Sequence, residues 1–510
     1  MKFKLMILLC MLVAVRSLAQ VPEDAIRYSW LTPNGTARNQ ALGGAMGSLG
    51  GDISATFMNP AGLGLYKTGE IILSPGLNFL NNKSDFRGTT NSNKNRSLNF
   101  GTSGIVSGFN TNSNNWQSGA FSFAINRTAN FNNQVHYKGQ NDYSSYSEQY
   151  AAELSNSNIP IGDQALNDPS LSLGTKMAIY TYLIDTARVG NSLQVVGLPI
   201  YKLNSREQEN LINTTGGITE LAFGLAANKN DKLYIGGSFG IPIVNYERNS
   251  TYTERDISGN TNNDFDYSTL TERYTTKGIG VNAKLGIIFK PVESVRVGLA
   301  LHTPTLYGLK DTYHGDMVTA TEGYAQVKKV SSDLLNNNQI TSFEYDLVSP
   351  WKVLVSGSYV FREVEDVTKQ RGFITADVEY INYKASSYQT ASTDNSDNSY
   401  YEGVNKSIHE IYKGSFNFRV GGELKFNTIM ARAGFAHYGN PNKESELKVS
   451  RNYISGGLGY RNKGVILDLT YVYGLQKDVN FPYRLGDKAN TYAMVNGNSG
   501  NVVLTAGFKL

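Results

Sequence analysis

From Tyr412 to Phe426 the chain alternates between two kinds of side chain. Tyr412, Phe416, Phe418, Val420, Leu424 and Phe426 fall on one parity, with Gly414 and Gly422 between them; Lys413, Ser415, Asn417, Arg419, Glu423 and Lys425 fall on the other. A β-strand sends successive side chains to opposite faces, so this segment has one oily and one charged face. The arrangement recurs at Val295, Val297, Leu299 and Leu301 against Arg296, Gly298, Ala300 and His302. It recurs again at Ile374, Ala376, Val378 and Tyr380 against Asp377 and Glu379, and at Val465, Leu467, Leu469 and Tyr471 against Asp468 and Thr470. The pattern predicts fourteen strands, near 70–80, 97–109, 117–130, 214–228, 232–248, 271–289, 293–304, 341–361, 371–383, 411–426, 428–438, 452–461, 463–474 and 501–510.

The connections alternate as well. Tight turns fall at Asn228-Lys229-Asn230-Asp231, Pro291-Val292, Asn427-Thr428 and Asn462. Between them lie long polar loops near 81–96, 131–213, 249–270, 305–340, 384–410, 439–451 and 475–500. Lipid excludes the charged parity, because Arg or Lys at mid-bilayer costs roughly 2–4 kcal/mol. Short turns at one end and long loops at the other then describe an all-β, antiparallel transmembrane barrel of a Gram-negative outer membrane, with a polar interior. An even strand number puts both termini at the short-turn end, and Leu504, Ala506, Phe508 and Leu510 carry the alternation to the last residue. Two soluble β-sandwiches in tandem are the competing architecture, which such regular loop lengths disfavour.

The first residues have a different character. Lys2 and Lys4, an apolar core from Leu5 to Val15, and Ser17-Leu18-Ala19 form an export signal over 1–19. Cys10, the chain's one cysteine, lies in that core, so no disulfide is expected in the mature protein. Residues 20–68 do not alternate; rich in small residues with a few large apolar ones, they predict a compact segment packed inside the barrel spanning 69–510. No later stretch reaches the roughly 18 apolar residues of a membrane helix. Mean hydropathy is −0.32, as a barrel with one polar face allows. Gly (51) and Tyr (32) are abundant, suiting close backbone approach and a membrane boundary respectively. A net charge of +4 over 510 residues argues against a nucleic-acid partner.

Loop 131–213 stands apart. Tyr150 to Leu154 and Leu173 to Ala187 carry helix-like apolar spacing, with Ile179, Tyr180, Leu183 and Ile184 as the candidate surface for capturing a greasy ligand. The bland reading is that these helices pack on one another and cap the barrel mouth.

Asn59-Pro60-Ala61-Gly62 fits a type I turn, with Phe57, Met58 and Leu63 as its apolar flanks. Together with Ala37-Arg38-Asn39-Gln40-Ala41-Leu42-Gly43-Gly44-Ala45, Ser349-Pro350-Trp351-Lys352, the run Arg371 to Tyr380, and Arg432-Ala433-Gly434-Phe435, it resembles the FadL/TodX family of outer-membrane transport proteins for hydrophobic compounds. The resemblance spans nearly the whole mature chain. It implies a fourteen-stranded barrel whose N-terminal segment is a hatch, with Asn59, Pro60 and Ala61 near the ligand and near an inward kink of the third strand. In that family an outer apolar groove captures the ligand, which passes to an internal site and leaves sideways into the bilayer. The third strand here, Gly119 to Asn130, contains no proline, so the sequence marks no kink.

A carboxylate ligand would want a cation, and Arg38, Arg127, Arg296 and Arg419 are candidates, each with structural pairing as the stronger expectation. Other chemistry is missing. His136, His302, His314, His409 and His437 are scattered, without metal- or haem-ligand spacing. No nucleophile motif accompanies them, and the glycines of 43–51 follow no strand, so neither enzyme nor nucleotide site is expected. Acidic, Asn-rich loop patches such as Asp256 to Asp266 have the oxygen ligands for Ca²⁺, with solvated outer loop as the stronger expectation. The expectation is a passive, monomeric, multi-pass transporter without metal or cofactor, its partners being membrane lipid and a hydrophobic small molecule, long-chain fatty acids foremost. Aromatic or haem-like ligands, and a structural or secretion-associated barrel that docks proteins through its loops, are the rivals.

Overall fold

Where alternation is strict, neighbouring segments pair edge to edge until the sheet meets itself. The computed structural model describes residues 22–510 apart from 31–33, 112–115, 362–370, 392–394 and 444–448; the signal segment 1–19 and Cys10 lie outside the described residues. Fourteen antiparallel strands close into a barrel. They are β1 (Glu70–Leu73 and Pro75–Phe86), β2 (Thr89–Phe100 and Ser103–Asn110), β3 (Ser118–Asn130 and Asn133–Asn141), β4 (Arg206–Lys229) and β5 (Leu233–Asp256). Then come β6 (Tyr267–Val292), β7 (Val295–His302 and Leu306–Ala320), β8 (Thr341–Val348 and Lys352–Phe361) and β9 (Gly372–Asn382 and Ser387–Thr390). β10 (Gly414–Phe426), β11 (Ile429–Tyr438), β12 (Arg451–Asn462), β13 (Val465–Asn480) and β14 (Ala493–Lys509) complete the wall. β14 closes on β1 through Phe508 opposite Ile71 and Val503 opposite Gly76.

The two parities separate as lipid requires. Phe416, Phe418, Val420 and Leu424 are exposed on the outside of β10, whereas Asn417, Arg419 and Glu423 are buried inside it. Val297, Leu299 and Leu301 likewise face out, and Arg296 faces in. Trp351, Tyr380 and Phe416 form a run of ring contacts at one rim of this apolar band, with centroids 5.6 and 5.0 Å apart. No described helix is long and apolar enough to cross a membrane; the strands do so.

Outside the band the structure corrects the sequence reading. β4, β5 and β6 are 24, 24 and 26 residues long, where a span needs roughly 9–11. Their outer halves have polar side chains on both faces, so pairing continues after the hydrophobic alternation fades. The expected loop 81–96 is a hairpin turning at Arg87-Gly88, both with positive φ. Long strand also occupies parts of the expected loops 249–270, 305–340 and 475–500. The expected loop 384–410 contains the helix Asn395–Ile411, whose Tyr401, Val404 and Ile408 turn inward. The periplasmic turns are tight: Asn230 and Asp231 both adopt positive φ, and the Asn228 amide bonds the Asp231 carboxylate at 2.6 Å. Two turns sit a residue or two beyond their expected place, at Glu293-Ser294 and Lys463-Gly464.

Residues 142–205 form a cap whose core, with Tyr146, Leu154, Met177 and Leu183, is completed by Phe265 of the β5–β6 connection and Met317 of β7, among others. One carboxylate ties it to the wall. Glu254 of β5, fully buried, accepts from Ser145 Oγ at 2.5 Å, the Tyr146 backbone N–H at 2.9 Å and Gln208 Nε2 at 2.6 Å. Burial pushes this carboxyl above its ordinary range, and those donors pull it part of the way back. Glu254→Ala leaves four buried donors without this acceptor, the Tyr252 hydroxyl at 3.2 Å being the fourth, each worth about 1–3 kcal/mol. It is expected to speed proteinase K cleavage within 142–205 on intact cells while leaving the barrel's heat-modifiable gel mobility unchanged. Cleavage at the wild-type rate would remove Glu254 as the anchor.

Candidate functional site

The lumen is filled by residues 34–66, held by contacts around the wall. Ala37 N–H donates to Thr505 Oγ1 at 2.7 Å, Thr470 Oγ1 to Ala37 O at 2.7 Å and Ser455 Oγ to Ala41 O at 3.0 Å. Farther round, Asp377 accepts from Gly47 N–H at 3.2 Å, Arg296 Nη1 donates to Leu49 O at 2.8 Å and Ser238 Oγ to Thr56 O at 2.8 Å. The inner wall lacks side chains where this backbone comes nearest. A Cβ at Gly434 would strike the Gly43 backbone, one at Gly298 that of Gly47, and one at Gly236 that of Pro60. Gly421 and Gly457 make room for Leu42 and Ala41 in the same way.

The Asn-Pro-Ala motif sits on this glycine belt. Asn59 caps the short 3-10 helix Pro60–Leu65, its Oδ1 accepting from Ala61 N–H at 3.2 Å. Its Nδ2 donates to Gly47 O at 2.6 Å, crossing the lumenal segment, and reaches Ile287 O of β6 at 3.3 Å. Gly286 leaves the space that Asn59 Oδ1 occupies. The Gly62 N–H donates to Asn59 O at 3.0 Å, as the expected turn requires, and the turn continues into the 3-10 helix.

Above the motif lies a cavity of about 150 Å³. Phe57 and Met58 from the lumenal segment line it, with Tyr28, Trp30, Asn126, Thr128, His302, Tyr307, Lys352 and Arg419 among the surrounding groups. Of the six motif candidates, Phe57 and Met58 thus reach the cavity. Asn59, Pro60 and Ala61 are buried against the wall, and Leu63 packs with Ile53, Tyr66, Ala120 and Ala222.

The cavity's charges are mostly matched. Lys284 Nζ pairs with Glu220 at 2.5 Å, and Arg419 lies 3.6 Å from Glu379 and 3.9 Å from Asp377. The other arginine candidates are engaged structurally: Arg38 with Glu423 at 3.5 Å, Arg127 with Gly216 O, and Arg296 with Leu49 O. Lys352 alone among the cavity's described cations has no carboxylate within 4.0 Å. It closes the run Ser349-Pro350-Trp351-Lys352, and nothing in that run marks it as a cation without a direct ion pair.

One side of the cavity meets a break in the wall. β3 pairs with β2 from Ser118 to Ile125 and with β4 on its other edge from Ser118 to Asn141. From Asn126 onward no residue of β3 pairs with β2. A bulge at Thr128 and an interruption at Phe131-Asn132, opposite Gly216 with its φ of 100°, break the regularity of the strand without proline. Its upper part tucks behind the β1–β2 hairpin, where Phe86 and Tyr137 rings lie 4.9 Å apart. Asn126 and Thr128, at the start of this slit, also line the cavity, and Leu98 of β2 projects from the slit's other edge, 78% exposed.

Of the capture-loop candidates, Ile179, Leu183 and Ile184 are sealed in the core of the cap, and Tyr180 is exposed. The first three therefore present no open groove in this structure, because the helix Leu173–Tyr180 turns its apolar side onto the cap's own interior.

No protein-family model matches the chain, and no curated protein sequence matches it. Among solved structures it is similar to a Pseudomonas aeruginosa FadL homologue, with 13% identity, 94% of this chain and 99% of that one covered, and a TM-score of 0.54. A deltaS2 mutant of the TodX monoaromatic hydrocarbon channel aligns at 11% identity, covering 93% and 98%, with a TM-score of 0.50. The likeness establishes a shared fold: a closed barrel of this outer-membrane type.

Gly434→Val is expected to dislodge the lumenal segment, because the new side chain meets backbone that has no rotamer by which to yield. Gly456→Val, one strand over and facing outward with nearest atom 3.8 Å away, serves as its control. In planar bilayers the first variant should conduct small ions well above wild type and the second should not; equal conductance would show that the belt does not seat the segment.

Proposed function

We propose that this barrel takes up hydrophobic compounds from outside the cell and delivers them sideways into the outer membrane, long-chain fatty acids being the class that fits best. The observation that carries this reading is the slit between β2 and β3, which abuts the cavity lined by Asn126 and Thr128. A solute in the cavity is thereby separated from the bilayer core by a place where no strand ladder stands. The solved structures of the same fold include ones named for toluene and monoaromatic hydrocarbons, and those ligand names belong to those proteins.

Lys352 favours an amphiphile over a bare hydrocarbon. A cation facing an otherwise charge-matched cavity offers a counter-ion to a carboxylate, while Phe57, Met58, Leu354 and Ile381 offer apolar contact to a chain. Each buried methylene contributes about 0.8 kcal/mol, so an acyl chain supplies affinity without further polar contacts. The residues 20–68 would act as the hatch, with Asn59 fixing its floor; capture begins at the exposed aromatic groups of the cap, such as Tyr180.

The cavity's 150 Å³ is smaller than the roughly 300–1,000 Å³ that encloses drug-sized ligands. Admission of a long chain therefore requires movement of the lumenal segment or widening of the slit.

The test is transfer of oleate into the bilayer by purified protein in liposomes. Saturable transfer above protein-free vesicles is expected, with Lys352→Met weakening oleate binding about tenfold, equivalent to about 1.4 kcal/mol, and leaving toluene binding unchanged. Asn59→Ala should alter transfer while the barrel still assembles. No saturable transfer of either probe would sink the transport reading, and toluene alone would replace the fatty-acid assignment.

A further inference from the structure

We propose that Asn34 is a positioning residue that staples the two edges of the slit, so that the lumenal segment, and not the barrel alone, sets the slit's width. The proposal rests on the slit being the exit described above.

The geometry is specific. Asn34 Nδ2 donates to Phe100 O of β2 at 2.9 Å and to Arg127 O of β3 at 2.7 Å. A carboxamide nitrogen carries two N–H donors, and here one goes to each edge. These carbonyls lie just where pairing between β2 and β3 has stopped, so one side chain bridges the two edges at that point. The apolar core of a bilayer offers a backbone carbonyl no other donor, which makes such a replacement costly to lose.

Asn34 is itself held. Its Oδ1 accepts from Gln40 Nε2 at 2.9 Å, and Gln40 Oε1 accepts from Asn501 Nδ2 of β14 at 2.7 Å. Gln40 Nε2 also donates to Gly35 O at 3.0 Å, and Gly101 of β2 leaves room for that same carbonyl. The staple thus runs from β14 through the lumenal segment to both edges of the slit. Asn34 and Gln40 line the cavity beside Asn126 and Thr128, so an arriving ligand competes for the space these amides occupy. A ligand that binds better with the amide displaced shifts the barrel toward an open slit.

The test uses full-length protein in liposomes with oleate as probe, comparing wild type, Asn34→Ala and Gln40→Ala. Asn34→Ala should raise oleate transfer to the bilayer about fivefold, the size of one net hydrogen bond. Amide exchange should quicken at 97–102 and 126–130 while β5 to β8 exchange as in wild type. Gln40→Ala, which leaves the staple in place but unbraced, should move both readouts the same way by less. Faster exchange at the slit with transfer unchanged would reduce the amide to a structural bond and overturn the proposal. Wild-type behaviour in both variants would do the same while leaving the exit reading intact; a wild-type protein that transfers nothing would remove both. Should Asn34→Ala fail to assemble, Gln40→Ala and Asn34→Asp, which lacks the donors when ionised, decide the matter by the same criteria.

Discussion

Backbone meets backbone around much of this lumen, and the rest of the interior follows from that closeness. A wall strand bearing side chains on its inner face would hold residues 41–60 at a distance, leaving voids or water between segment and wall. Gly236, Gly286, Gly298, Gly421, Gly434 and Gly457 remove the side chains at the points of contact, so the segment's carbonyls and N–H groups come within reach of Thr470, Ser455, Asp377 and Ser238. Glycine in a strand ordinarily weakens it. Here that weakening is offset by a seat that only glycine can form, and the small residues of the N-terminal segment are the other half of the same fit.

The bilayer imposes the second constraint. Hydrocarbon leaves no backbone polar group unsatisfied without a large penalty, which is why the sheet closes. The slit between β2 and β3 departs from closure, and it is tolerated because side chains supply what the ladder no longer does: Asn34 at Phe100 O and Arg127 O, and Asn82 at Gln134 O at 2.6 Å. Irregular backbone at membrane depth is admissible where it borders a cavity, and this stretch borders one. The interrupted ladder and the side chains that stabilise it therefore fall at the same residues.

How far the sequence can be read follows from the same physics. Lipid enforces contrast between parities, so the membrane portions of β6 to β14 are legible almost residue by residue. Beyond the lipid both faces of a strand meet water, and the outer halves of β4, β5 and β7 read as polar loop although they pair as regularly as the rest. The hairpin at Arg87-Gly88 is hidden for that reason, its flanks being Asn, Ser, Thr and Lys on both parities. The helix Asn395–Ile411 escapes notice because three inward residues, Tyr401, Val404 and Ile408, are a faint stripe in a polar stretch. The motif Asn59-Pro60-Ala61 is visible as a turn, but its partners at Gly286 and Gly236 lie more than 170 positions away and carry no local signal. A proline would have marked an irregularity in β3, whereas the irregularity comes from a bulge at Thr128 opposite a strand that carries a positive-φ glycine, Gly216. Lys352 illustrates the general limit: four arginines are as good candidates on paper, and only distance shows that each lies against Glu423, Glu379 or a backbone carbonyl.

The direction of movement can be argued from where the wall resists. Enlarging a cavity of about 150 Å³ by spreading strands means breaking several neighbouring ladder bonds at once, and those run unbroken along β4 and β5 from Lys229 to Arg206. At the slit the corresponding resistance is a few side-chain hydrogen bonds, from Asn34 with its brace, from Asn82 and from Asn130 to Ser97 Oγ at 3.5 Å. Lifting the lumenal segment vertically would strip it from the glycine belt at many points together. A sideways shift near Asn34 disturbs far less, since the hydrogen bonds broken there belong to one side chain and the freed carbonyls face polar cavity on one side. The compliant part of the molecule is thus the part where the cavity lies beside the interrupted ladder of β2 and β3.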